Sequence, residues 1–152
     1  IGPSNQARSR PVASNVHVAG ADVVPNAALV PLGTDGRISL YTSSATDLVV
    51  DLQGYVTGDS AAVSGDGLFV AVSPVRVADS RDRGSLARFG AMFDQSLQVG
   101  GIGGVPASGV SAVAVNLTVT DPWKLTAGTN TRLAASAGVS GVPATTGVTP
   151  SA

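Results

Sequence analysis

The densest charge in the chain is PVRVADSRD, residues 74–82. A guanidinium is a planar fork of N–H donors that matches both oxygens of a carboxylate. Arg76, Asp79 and Arg81 are therefore spaced to form a bidentate arginine–carboxylate network. Such a network has two uses. It can capture an anionic sugar or a peptide carboxylate, or it can staple a loop between strands. The opposite charges nearly cancel within the stretch, which favours the structural ion-pair network.

Other chemistries find less to work with. Nucleophilic catalysis needs a base beside its nucleophile. The only imidazole is His17, in an alternating segment with Ala13 and Asn15, where a hydrogen-bonded, polar-face histidine is the simpler reading. GVSAV (109–113) and GVSGV (138–142) both lack the closing glycine of a nucleophile elbow. Glycoside hydrolysis needs two carboxyls about 5–9.5 Å apart. Asp47 and Asp51 share a strand face, but that spacing sets their backbones about 13 Å apart. Asp79 and Asp82 lie closer, yet Arg76, Arg81 and Arg83 surround them and favour ionised carboxylates over a proton donor.

No calcium-loop pattern or His/Cys cluster is present, so no metal or other cofactor is expected, and the aspartates read as turn residues. GGIGGVP (100–106) places Pro106 where a dinucleotide fingerprint needs its third glycine, and reads as a tight loop. Tyr41, Tyr55 and Trp123 are the candidates for stacking on sugar rings. Aromatic content is only 4%, and Trp123, in DPWK, also reads as a plug at the end of the core.

The elements that must position these residues follow from composition. With 152 residues, the chain suits one domain. It has no Glu, one Lys and one Met, so good helix formers are scarce, while Val, Thr, Ser and Gly favour strands and turns. A net charge of -1 argues against a nucleic-acid or anionic-membrane surface. No apolar run reaches the roughly 18 residues of a membrane span, so no membrane insertion is expected. The absence of cysteine excludes disulfides and thiol chemistry. The start at Ile1 reads as a processed chain or a piece of a longer one.

Alternation marks strands over 11–18 and 45–56, the latter with Leu48, Val50 and Leu52 on one face and Asp47, Asp51 and Gln53 on the other. Residues 26–41 read as a hairpin about Gly33-Thr34-Asp35-Gly36, with Pro31 marking an edge or a bulge. Residues 67–81 make one or two strands broken by Pro74, and 96–99 makes another. Residues 82–95 are the only candidate helical turn, with Leu86, Phe89 and Phe93 on one side and Gly90 weakening it. The cleanest strand is 110–120, where Val113, Val115, Leu117 and Val119 alternate with Ala114, Asn116, Thr118 and Thr120.

The pattern predicts an all-β, antiparallel β-sandwich of jelly-roll or immunoglobulin-like type, with about eight short strands and little or no helix. The expected division is a module over 1–126 and an Ala/Gly/Thr/Ser-rich extension over 127–152, docked on its own or a neighbouring subunit.

Four segments in order, RPVASNV (10–16), VPNAALVPLGTDGRISLYTSSATDLVVDLQGY (24–55), PVRVADSR (74–81) and GVPASGVSAVAVNLTVTDP (104–122), resemble a repeat module of secreted and cell-surface actinobacterial proteins. The resemblance covers roughly residues 1–122. It implies an extracellular β-sandwich without a catalytic role. Members of this kind continue past the TDP segment into a Gly-bounded apolar strand, of which DPWKLTAGTNTRL is a poor copy. GVPATTGVTPSA (141–152) echoes the lead-in at 104–115 without the strand that follows it there.

The leading expectation is thus a non-catalytic structural or adhesive module, secreted or at the cell surface. Two alternatives stand beside it. One is an extracellular filament subunit, completed by strand donation between copies of itself or neighbouring modules. The other is a module that binds cell-wall glycan. An enzyme ranks last.

Overall fold

The computed structural model describes residues 14–19, 22–59, 61, 68–82, 84–120 and 130–137. They form eight strands: β1 (Val16–Ala19), β2 (Val24–Pro31), β3 (Arg37–Thr42), β4 (Asp47–Thr57), β5 (Phe69–Asp79), β6 (Phe93–Gln98), β7 (Val110–Thr120) and β8 (Asn130–Ala137). No helix occurs among the described residues. Two four-stranded sheets, β1-β8-β3-β6 and β2-β7-β4-β5, make an antiparallel β-sandwich, as the composition predicts.

The pairing narrows the expectation further. β1 pairs with β8, β2 with β7, β3 with β6 and β4 with β5. This is a long hairpin of strand pairs rolled up, with β3–β8 and β4–β7 contacts completing the two sheets. The arrangement is that of the eight-stranded jelly roll.

The alternation in the sequence explains which faces meet. Val113, Val115, Leu117 and Val119 of β7 are buried, as are Leu48, Val50 and Leu52 of β4. Opposite them lie Ile38 and Leu40 of β3, Val16 and Val18 of β1, Leu97 of β6 and Leu133 of β8, all in one contiguous core. Each such side chain contributes about 1.5–3 kcal/mol on full burial. β7 lies between β2 and β4 and gives every second side chain to this core.

Two local expectations are corrected. Residues 26–41 do turn at Gly33–Gly36, where the Gly36 N–H donates to Gly33 O at 2.9 Å and Gly36 takes φ 74°. They do not form a hairpin, because β2 and β3 belong to opposite sheets and the turn is an arch between them. Pro25 and Pro31 leave gaps in the donor row of β2, which suits an edge position, and β2 pairs along its length with β7 instead.

The described residues of 82–95 are not helical. The described part crosses from β5 to β6 as an irregular loop, with Met92 at φ 58° after Gly90. Leu86 and Phe89 are buried as an i, i+3 pattern would have them, but they cap the end of the core from this loop. Phe89 is fixed by reciprocal backbone bonds with Thr46, both 3.1 Å, and Ala87 by two bonds with the Gln95 amide.

Part of the expected C-terminal extension is a strand. β8 lies inside a sheet of its own chain, between β1 and β3, and buries Leu133. Only Leu133 and small neighbours supply its described apolar contact, so β8 is the least apolar interior strand and gives a faint signal in sequence. Residues 138–152, with the echo segment, fall outside the described residues.

A bulge in β4 sets the faces of the β2-β7-β4-β5 sheet. Register against β7 shifts between Leu52 and Gly54, so Gln53 is the extra residue and the alternation reverses after it. Tyr55 now pairs with Val113 and packs against the core, while Gly54 and Val56 turn to the outer face opposite Ala114 and Ala112. β5 is irregular at the same level, between Val75 and Ala71. The glycine-rich crossing seals that gap from inside: Gly103 has φ 61°, and a Cβ on it would lie 2.6 Å from Val75 Cγ1 and 3.0 Å from Leu52 Cδ2.

Candidate functional site

Asp47, Asp51, Arg76, Asp79, Arg81 and Arg88 gather at one end of the outer face of the β2-β7-β4-β5 sheet. Past Leu52, counting back toward the start of β4, Asp51, Val49 and Asp47 point outward. They pair across β7 with Asn116, Thr118 and Thr120 and, for the first two, across β5 with Arg76 and Asp79. The loop after β5 folds back over them. The Ser80 N–H donates to Leu48 O at 3.0 Å and the Leu48 N–H to Ser80 Oγ at 2.9 Å, which lays this loop against the start of β4.

Asp79 is the centre of the cluster. Its side chain is 5% exposed, and Arg81 holds it in a two-point fork, Nε to Oδ1 at 2.9 Å and Nη2 to Oδ2 at 2.6 Å. The Arg81 backbone N–H adds a third bond to Oδ1 at 3.1 Å, and Arg76 Nη1 donates to Oδ2 at 3.4 Å. Arg76 also donates through Nε to Asp51 Oδ1 at 2.9 Å, so it ties β5 to β4. The three residues singled out by spacing are thus in direct contact.

The hydrogen bonds from Arg81 hold the Asp79 carboxyl at about 2, below its ordinary 3.8, against an opposing push from burial. The same pairing raises Arg81, and hydrogen bonding to Asp51 raises Arg76. A carboxyl held that low is a fixed anion through the physiological range and not a proton donor.

A second cluster adjoins the first. Asp47, with its side chain 3% exposed, accepts from Ser80 Oγ at 2.8 Å and from Arg88 through Nε at 3.0 Å and through Nη2. Arg88 belongs to the loop that carries Leu86 and Phe89 into the core. The pair therefore pins the capping loop to β4. Sequence reasoning did not find this pair. Arg88 is distant in sequence from Asp47, and its one signal was the placement of a charge inside an otherwise apolar i, i+3 pattern.

The remaining candidates do not converge. Asp47 and Asp51 are each engaged by a different arginine. His17 lies exposed on the short edge strand β1, in the other sheet. Tyr41 is on β3, its hydroxyl 3.0 Å from Met92 Sδ, and Tyr55 packs inward from β4, so the two tyrosines share no face. Trp123 and Arg83 lie outside the described residues. GGIGGVP is a loop, with Gly101, Gly103 and Gly104 all at positive φ. Among the described residues, no group of three or more His or Asp side chains is placed to hold a metal ion, and no helix is long and apolar enough to cross a membrane.

Chemically, the cluster is a set of charge-assisted bonds that close on themselves. Against families, curated proteins and solved structures alike, no match to this chain was found.

Proposed function

We propose that this chain is a non-catalytic structural module of a secreted or cell-surface protein, serving as spacer, stalk or adhesive unit. The observation that carries the reading is that its densest charge is spent internally. Arg76 on Asp51 ties β5 to β4, Arg81 on Asp79 closes the turn at the end of β5, and Arg88 on Asp47 fastens the β5–β6 loop to β4. A domain whose polar clusters act as staples is built to hold shape. The ordered resemblance of four segments to modules of surface proteins supports the location.

The filament alternative, strand donation between copies, needs an open edge. The four edges are poorly suited to it. β1 has four residues, β2 carries Pro25 and Pro31, β5 carries Pro74 beside a register irregularity, and β6 carries Asp94. The interior place between β1 and β3 is taken by β8 of the same chain.

Sedimentation velocity separates the two readings. A spacer module sediments as a monomer near 14.9 kDa at every concentration. Growth of larger species with concentration would favour the filament. An antibody to the folded domain should label intact cells of the source organism as strongly as permeabilised ones; labelling only after permeabilisation would overturn the surface assignment.

A further inference from the structure

The outer face of the β2-β7-β4-β5 sheet changes character halfway along. One half is ionic, built on Asp47, Asp51, Arg76 and Asp79. Beyond the Gln53 bulge the next register row reads Leu29, Ala114, Gly54 and Ala71 across the four strands, and the row after it Pro31, Ala112, Val56 and Phe69. None of these eight has a polar side chain. Leu29 is 62% exposed and Phe69 is 53% exposed.

Phe69 has a defined posture. A Cβ on Gly54 would lie 2.5 Å from Phe69 Cζ and 2.8 Å from Cε2, so the ring lies down on the bare backbone of Gly54. Covering a strand glycine with an aromatic ring explains the ring's inner face. It leaves the outer face open, on a platform whose neighbours Ala71, Ala112, Ala114 and Val56 are too small to wall it in. One register row away stand Asn116, Asp51 and Arg76, with Gln53 exposed in the bulge between.

We propose that this face is a shallow binding site for a neutral, extended glycan, with the Phe69 ring as its stacking platform. An open π-face takes the apolar C–H face of a pyranose, and planar polar groups at the rim take its hydroxyls. Asp51 and Arg76 neutralise each other at 2.9 Å, so the rim offers hydrogen bonds without net charge, which suits a neutral sugar. The absence of walls among the described residues suits a chain of equatorially linked rings and not a buried monosaccharide. The site uses neither Tyr41 nor Tyr55. It also stands apart from the module reading, which sedimentation and cell labelling test separately.

The experiment is NMR titration of protein carrying labelled phenylalanine rings with chitohexaose and, separately, cellohexaose. The chain has three phenylalanines, which gives internal controls: Phe89 is buried and Phe93 half-buried. The Phe69 ring signals should shift saturably with at least one hexasaccharide while those of Phe89 stay fixed. Phe69→Tyr should keep the affinity and Phe69→Leu should lower it about tenfold. No shift of Phe69 with either sugar at about 10 mM, or unchanged affinity in folded Phe69→Leu, overturns the proposal. Should Phe69→Leu fail to fold, the wild-type ring shifts decide alone.

Discussion

Arg81→Ala removes the two-point fork on Asp79 and leaves the carboxylate with the backbone N–H of residue 81 and the longer bond from Arg76. The magnitude follows from the pKa. A carboxyl at about 2 in the folded chain and 3.8 otherwise gains at most about 2 kcal/mol of stability when charged. Its partner Arg81 is half exposed, with its side chain at 51%, so solvent screening cuts the gain of the Asp79 carboxylate to about 1 kcal/mol. The sign is that of a depressed carboxyl. The contribution is fully present above 3.8 and is lost as pH falls through about 2. Urea unfolding of wild type and Arg81→Ala at pH 7 should therefore differ by about 1 kcal/mol, and a thermal scan by about 2–4 °C. Below pH 3 the gap should narrow. Equal stability at pH 7 would refute the staple, and a gap that persists undiminished at pH 2 would refute the electrostatic origin assigned to it.

The other perturbations test separate parts of the roll. Arg88→Ala strands the buried Asp47 with Ser80 as its remaining side-chain partner and should cost about 2 kcal/mol in urea unfolding; Arg88→Lys should recover only part of this, since an ammonium cannot reproduce the fork. Leu133→Ala should cost about 2–5 kcal/mol if β8 sits in the core of its own chain, and near zero cost in the monomer would mean that it does not. Gly103→Ala forces a side chain into positive φ and against Val75 and Leu52; a loss of about 2 kcal/mol or more in the unfolding midpoint is expected, and a neutral result would contradict the packing of that loop.

What could be read from the sequence alone was whatever repeats along one strand. The alternation of Val113 to Val119 and of Leu48 to Leu52 identified two central strands and the faces they bury. The Asp35-Gly36 pair identified a turn, and the spacing of Arg76, Asp79 and Arg81 identified a network, because contacts within a few residues are nearly local. What could not be read depended on pairing between distant segments. Asp-Gly marks a reversal of direction, but whether the two strands then pair or part into opposite sheets is decided by β7, β6 and β8. Leu86 and Phe89 satisfy a helical spacing equally well as two contacts of a loop that caps the core. β8 carries one large apolar residue in its described core contact, and a strand flanked on both sides needs few of its own.

The outer face shows how far one inserted residue can mislead. Extending the alternation of Leu48, Val50 and Leu52 through β4 would send Gly54 and Val56 inward and Tyr55 outward, where an exposed tyrosine suggests a ligand. The extra residue at Gln53 reverses all three. It hides the aromatic that looked available and bares the glycine on which another aromatic, from β5, can lie. Phe69 belongs to a stretch that reads in sequence as an apolar strand, and nothing in its own neighbourhood marks it as exposed. Its posture depends on Gly54 being turned outward, on Ala71 and Ala114 flanking that glycine, and on β5 pairing with β4 at that register. Deleting Gln53 should therefore leave these faces as they are. Leu52 and Gly54 become consecutive opposite Val115 and Ala114, Tyr55 stays inward opposite Val113, and the Phe69 ring keeps the backbone of residue 54. The ring-proton shifts of Phe69 should change little in the absence of any sugar, and a large displacement of those signals would contradict the register assigned across the bulge.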